Sequence, residues 1–233
     1  MAADFNRDGF ALVAAVQSEA EVSALAAAIA QLTTATADAR ERDGAYGLRN
    51  LLRDCAEVRA LARSEKLGAL LTEHLGRDAF PVRALFFDKT PAANWRVPWH
   101  QDLTIAVAER IEIPGFGPWS VKDGVVHVQP PRQILENMIA LRLHLDDCGA
   151  DNGPLRVVPG SHRDGKLSAA EIVEARERCE PVTCEARRGA VLLLRPLLLH
   201  SSSPARRPGH RRVLHLEYAA TELPGGLRWF ETL

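Results

Sequence analysis

The chain has 233 residues, 46% apolar and 25% charged, with a formal net charge of -1 at pH 7. That length and composition suit one globular domain with a sizeable core, and the charge balance argues against general attraction to nucleic acid or an anionic membrane. The opening MAADFNRDGF carries charges where a secretory signal needs an apolar core, and no apolar run reaches the roughly 18 residues of a membrane span, so a soluble, cytoplasmic protein is expected.

The first third reads as helix. Residues 18–32 place apolar side chains at helical spacing, and Ser18 followed by Glu21 has the pattern of a capping box. A polar stretch over 33–47 reads as loop, and leucines three and four apart predict helices over 51–63 and 64–75. From Pro81 the character changes to short runs rich in Val, Leu, Ile and Phe between turn residues: 82–87, 139–145, 155–158, 190–194 and 213–218. Such runs predict antiparallel strands in a sandwich or barrel. Helices first and strands afterwards make the chain α+β, mainly helical over 1–80 with a β-core over 81–220. The region 109–132, rich in Pro and Gly, is long for a loop and is expected to cover something. Cys55, Cys148, Cys179 and Cys184 form no C-x-x-C pair, so they read as free thiols rather than half of a zinc site.

The chemistry concentrates in two segments. In Trp99-His-Gln-Asp102, His100 and Asp102 stand two residues apart. On a strand that spacing sends both side chains to one face. His200 closes the apolar run 197–200 and offers a third ligand from another strand. Two histidines and one carboxylate on one side of a metal leave positions open, the arrangement of iron(II) enzymes that bind a cosubstrate and oxygen together. Arg211 and Arg212 follow His200 by eleven and twelve residues and open a strand expected to run antiparallel beside the one ending at His200. A guanidinium there suits the carboxylate of a dicarboxylate cosubstrate.

These residues, with Phe5-Asn-Arg-Asp-Gly-Phe10, Asn152-Gly-Pro-Leu-Arg-Val-Val-Pro-Gly-Ser-His162 and the run 188–200, resemble the phytanoyl-CoA dioxygenase-like family of Fe(II)/2-oxoglutarate-dependent oxygenases over nearly the whole chain. The resemblance implies a double-stranded β-helix (cupin-type jelly roll) with helices, mostly N-terminal, packed on one side. It implies His100, Asp102 and His200 as iron ligands, with 2-oxoglutarate and oxygen as cosubstrates. Arg211 is implied as the partner of the distal 2-oxoglutarate carboxylate, with Arg212 as the fallback, and Ser202 as a hydroxyl touching the same group. Leu85 and Gln101 fall where relatives line the cosubstrate pocket, and Arg142 where a relative has an aromatic residue. Relatives without the carboxylate ligand are halogenases; Asp102 is present, so the resemblance points to hydroxylation, while the short chain suits a small-molecule metabolite, amino acid derivative or biosynthetic intermediate better than an acyl-CoA thioester.

The substrate is less legible. Arg142 and His144 alternate with apolar residues, so they either face the barrel interior and meet a polar or anionic substrate or mark a solvated face. Lys89 is either a substrate contact or a surface lysine. Arg49 and Asn50 lie where relatives sometimes close over substrate. His162 reads as structural, and Trp95, Phe116 and Trp119 either form a lid or pack loop against barrel. Two alternatives remain: a cupin using the same ligands for non-oxidative metal chemistry, and a binding domain of this fold without turnover.

Overall fold

A computed structural model describes residues 4–35 and 46–231. The chain opens with a single turn, α1 (Phe5–Asp8), and strand β1 (Phe10–Val13). Gly9 between them is left-handed, at φ 80°. A side chain there would collide with the His162 ring, so the Asn-Arg-Asp-Gly-Phe segment and the Pro-Gly-Ser-His segment meet at this glycine. Helix α2 (Glu19–Ala35) starts at the expected capping box: Ser18 N donates to Glu21 Oε2 at 2.8 Å and Glu21 N to Ser18 Oγ at 3.3 Å.

The loop expected over 33–47 is in part corrected. Residues 33–35 continue α2, and β2 (Tyr46–Leu48) joins the main sheet; residues 36–45 lie outside the described ones. The helix expected over 51–63 is two, α3 (Leu51–Asp54) and α4 (Ala56–Ala62), broken where Cys55 turns extended. The buried Glu231 carboxylate accepts from Leu52 N, Arg53 N and Ala84 N, tying the start of α3 to the end of the chain. Helix α5 (Glu65–Leu75) is capped by Ser64.

The strands that follow are β3 (Phe80–Lys89), β4 (Val97–His100), β5 (Ile105–Val107), β6 (Trp119–Lys122) and β7 (Val125–Val128). After the short α6 (Arg132–Glu136) come β8 (Met138–His144) and β9 (Leu155–Val157). Helix α7 (Ala169–Arg178) precedes β10 (Val182–Cys184), β11 (Val191–Leu194), β12 (His200–Ser202) and β13 (Arg211–Ala219). They build antiparallel sheets in the orders β1-β11-β8-β13-β3-β2, β10-β9-β12-β4 and β5-β7-β6. Among the described residues no helix is long and apolar enough to cross a membrane.

The two-residue period of β3, β8 and β13 divides the six-stranded sheet into two unlike faces. Phe86, Leu141, Leu143, Leu214 and Leu216 pack with Val22, Ile29, Leu52, Val58 and Leu67 of the helices into the largest core cluster. Each such side chain, fully buried, contributes roughly 1.5–3 kcal/mol. Tyr218 joins them, and its hydroxyl donates to Ala62 O at 2.9 Å. The opposite face carries Arg83, Leu85, Arg142, Arg211, His215 and Glu217 toward a cavity. The alternation around Arg142 therefore marks an inner face rather than a solvated one.

Candidate metal centre and its cavity

Strands β4 and β12 are hydrogen-bonded neighbours in which His100 lies opposite His200, and the two imidazole centroids are 4.2 Å apart. Asp102 stands two residues beyond the end of β4, its N–H donating to Pro196 O at 2.9 Å. The expectation that both ligands sit on one strand is thus corrected: the carboxylate arrives from the turn after it. Asp102 Oδ1 is 3.6 Å from His100 Nε2, and Oδ2 is 3.6 Å from His200 Nε2. One ligand atom from each residue lies within 4.8 Å of the others.

Both histidines are oriented the same way. His100 Nδ1 lies 2.9 Å from Pro98 O and His200 Nδ1 2.8 Å from Leu198 O, each the carbonyl two residues back. A carbonyl only accepts, so each Nδ1 carries the proton and each Nε2 turns a lone pair toward Asp102. Burial pushes the His200 imidazole down to about 4, favouring the neutral ring a metal needs. Burial would do the same to His100, but Asp102 outweighs it and holds that ring above its usual range. Burial likewise opposes ionisation of Asp102, yet the two histidines keep its carboxyl well below the usual carboxylate range. Two imidazole Nε2 atoms turned to one point, one firm carboxylate and backbone bonds fixing the tautomers fit a divalent transition metal, whose charge would displace the proton that Asp102 favours on His100.

The centre opens into a cavity of about 510 Å³. Arg211 lines it from the start of β13 and is buried. One of its terminal nitrogens donates to Gly153 O, its backbone N–H to Asp88 Oδ1 at 3.2 Å, and its Nε has no hydrogen-bond partner among the described residues. Gly153, at φ 60°, has no room for a side chain because Ser203 O lies against it. Arg212 points the other way and makes a bidentate pair with Asp146 at 2.9 and 2.6 Å. Strand β13 is not beside β12, as the sequence suggested. It runs between β8 and β3 in the facing sheet, so Arg211 and His200 approach the cavity from opposite walls.

Lys89, expected as a substrate contact or surface lysine, is almost fully buried. It donates to Ser202 Oγ and Ser203 O, both at 3.0 Å, and lies 5.3 Å from the Trp95 ring centroid. Burial, with Arg211 and Arg142 nearby, pushes its ammonium down to about 7. Ser202 and Leu85 line the cavity. Gln101 lines it as well, but its amide is occupied elsewhere: Nε2 donates to Gly165 O and Leu197 O, and Oε1 accepts from Leu167 N. Through these bonds it also fastens the loop before α7.

Arg142 lines the cavity, held down to about 10 by burial and by Arg211. His144, two residues on, shares the inward face but is not part of the lining; burial and Arg142 push it down to about 4. Arg49 reaches the cavity and pairs with Asp123 at 2.6 Å. Asn50 does not line it; at φ 61° it turns the chain into α3. The substrate roles expected for His144 and Asn50 thus lack contact with the cavity. Trp95 lines the cavity, whereas Phe116 and Trp119 pack in a separate apolar cluster.

The cavity is also lined by His215, Glu217, Arg83 and Lys122, which no sequence motif marked. Arg142 Nη1 lies 3.2 Å from His215 Nδ1, His215 Nε2 is 3.3 Å from Glu217 Oε1, and Glu217 pairs with Arg83 at 3.1 Å. This polar chain crosses the sheet floor, and its β13 members keep the two-residue period that starts at Arg211. The long region 109–132 holds the β6–β7 hairpin, which presents Lys122 to the cavity. Its Asp123-Gly124 turn, at φ 55° and 77°, is a readable hairpin signal. Helix α7 also has a legible start, the Ser168/Glu171 capping box.

Antiparallel sheets around a cavity that holds a two-histidine, one-carboxylate cluster make a frame able to hold a metal ion. The Phytanoyl-CoA dioxygenase (PhyH) family model matches residues 5–213, and the chain belongs to that family. Among curated proteins none matches. Of the solved structures similar to it, AviO1 from Streptomyces viridochromogenes is 26% identical with a TM-score of 0.68, covering 95% of this chain and 94% of that one. EctD from S. alaskensis with 2-oxoglutarate and 5-hydroxyectoine is 23% identical with a TM-score of 0.70, covering 93% and 73%. The non-heme alpha ketoglutarate dependent carbocyclase SnoK from nogalamycin biosynthesis is 15% identical with a TM-score of 0.71, covering 94% and 82%. The last two likenesses bear on fold alone.

Proposed function

We propose that this protein is an Fe(II)- and 2-oxoglutarate-dependent oxygenase that hydroxylates an unactivated C–H bond of a small-molecule metabolite. The observation that carries the reading is the convergence of His100, Asp102 and His200 in a cavity whose facing wall holds the buried Arg211. We read the whole chain as one domain and the two larger sheets as the halves of a double-stranded β-helix.

Iron(II) with 2-oxoglutarate and oxygen supplies the oxidising power for C–H cleavage, with succinate and carbon dioxide as coproducts. The chain supplies the placement. His100 and His200 offer Nε2 because Pro98 O and Leu198 O hold the Nδ1 protons. Asp102, kept ionised, is the third ligand. Arg211 holds the distal carboxylate of 2-oxoglutarate by charge-assisted hydrogen bonds, with the Ser202 hydroxyl beside it and Lys89 behind that. Leu85, Phe87, Trp95 and Leu155 limit water around the reacting carbon.

The test is turnover under labelled oxygen gas with iron(II), 2-oxoglutarate and a panel of metabolites. The expected result is succinate formation that disappears in Asp102→Ala, and a product gaining one labelled oxygen. Intact 2-oxoglutarate with iron bound would overturn the reading, and a product lighter by two hydrogens would replace hydroxylation with desaturation or ring closure.

A further inference from the structure

The cavity has two cationic poles. Along β13 and β3, Arg211 is paired in register with Lys89 and Glu217 with Arg83, with His215 opposite Leu85 between them. Six residues of strand separate the poles, roughly 20 Å. On the proposed function the Arg211 pole belongs to 2-oxoglutarate. At the other pole Arg83 from β3, Lys122 from the β6–β7 hairpin and Arg49 from the segment before α3 line one space.

The charges there do not cancel. Arg83 has Glu217 at 3.1 Å and Arg49 has Asp123 at 2.6 Å. Lys122 meets only the Thr104 hydroxyl, at 3.3 Å, and no carboxylate pairs with it among the described residues. Burial, then Arg83 and Arg49, depress its ammonium, as expected where three cations share one enclosure. Over the whole lining five cationic side chains face two carboxylates, Asp102 and Glu217. A divalent metal and a dianionic cosubstrate cancel each other, so the excess persists in the loaded site. A walled cleft of one sign concentrates its field on a ligand of the other. Thr104 stands only two residues from Asp102, so an anion at Lys122 places its carbon skeleton near the metal.

We infer that the substrate is an anionic small molecule whose carboxylate or phosphate is held by Lys122, flanked by Arg83 and Arg49, with its body extending toward His100, Asp102 and His200. The inference rests on the proposed function for the position of the reacting carbon, but not for the anion site itself. Lys122 also accounts for the length of the 109–132 region, whose hairpin brings the cation that the two larger sheets do not.

The test is calorimetric titration of inorganic phosphate, at constant ionic strength, into protein loaded anaerobically with iron(II) and 2-oxoglutarate. Phosphate is expected to bind the wild type, to bind Lys122→Gln about tenfold or more weakly, and to regain affinity in Lys122→Arg. Undiminished binding in Lys122→Gln, or no binding to the wild type, overturns the inference. Repeating the titration with Arg211→Gln separates the two readings. Phosphate binding that depends on Lys122 while 2-oxoglutarate fails to bind even the wild type would remove the oxygenase assignment and leave the anion site standing. A 2-oxoglutarate complex with no Lys122-dependent phosphate site would do the reverse.

Discussion

Arg211 and Arg212 are neighbours in sequence and opposites in surroundings, and a residue-scale prediction follows from that contrast. Arg211 faces the cavity with an unpartnered Nε, whereas Arg212 is spent on Asp146. Arg211→Met is expected to weaken 2-oxoglutarate binding by about 2 kcal/mol or more, roughly thirtyfold, with iron(II) affinity retained. Arg212→Met is expected to leave 2-oxoglutarate binding within about twofold, since its ion pair lies outside the cavity; titration of both variants decides. Lys89 gives a pH dependence. Its ammonium is lowered from 10.5 to about 7 in the folded protein, so the unfolded chain binds the extra proton between those values and this group makes stability rise with pH across that window. A dianion beside Arg211 favours the charged ammonium, so 2-oxoglutarate binding at pH 8 is expected to take up protons and to weaken as pH rises above about 7. Binding heats that vary with buffer ionisation enthalpy in the wild type but not in Lys89→Met would show it; buffer-independent heats in both would refute it. The His100 and Asp102 pair was legible because its spacing is a local motif, and the fold brings His200 to it. Lys89 was not legible, because its burial depends on Ser202 and Ser203, more than a hundred residues away.

At the scale of elements, long-range partners decided what local pattern could not. The helix expected over 51–63 breaks at Cys55, and Glu231 from the far end of the chain caps the first piece. Glu231→Ala leaves Leu52 N, Arg53 N and Ala84 N without that acceptor and is expected to cost about 1–3 kcal/mol, read as a lower denaturation midpoint with unchanged slope. An unchanged midpoint would show the cap to be dispensable. The strand opened by Arg211 was read in place but set beside the wrong neighbour. The span from Leu197 to His200 carries the chain from one sheet to the other, and periodicity within a strand says nothing of which sheet receives it. The β6–β7 hairpin carries a local signal in Asp123-Gly124, but the density of Pro and Gly over 109–132 makes the whole region read as loop.

For the whole molecule, the governing fact is the division of the six-stranded sheet into an apolar face under the helices and a charged face toward the cavity. Sequence alternation in β8 announced two faces, but only the opposing β10-β9-β12-β4 sheet fixed the charged one as interior. Leu141, fully buried on the apolar face, tests the separation: Leu141→Ala is expected to cost about 2–5 kcal/mol of stability, while 2-oxoglutarate affinity persists in the folded fraction. Parallel loss of affinity would mean the two faces are not independent. A chain of net charge -1 thus holds a strongly positive cavity.

The most direct test is anaerobic addition of iron(II) and then 2-oxoglutarate to metal-free protein, watched for the weak visible charge-transfer absorption of the chelate. The expected result is a band in the wild type that is lost in His200→Ala and, at the same 2-oxoglutarate concentration, in Arg211→Ala. Iron bound at His100, Asp102 and His200 with no such band at any 2-oxoglutarate concentration would contradict the oxygenase reading and make non-oxidative metal chemistry the better one.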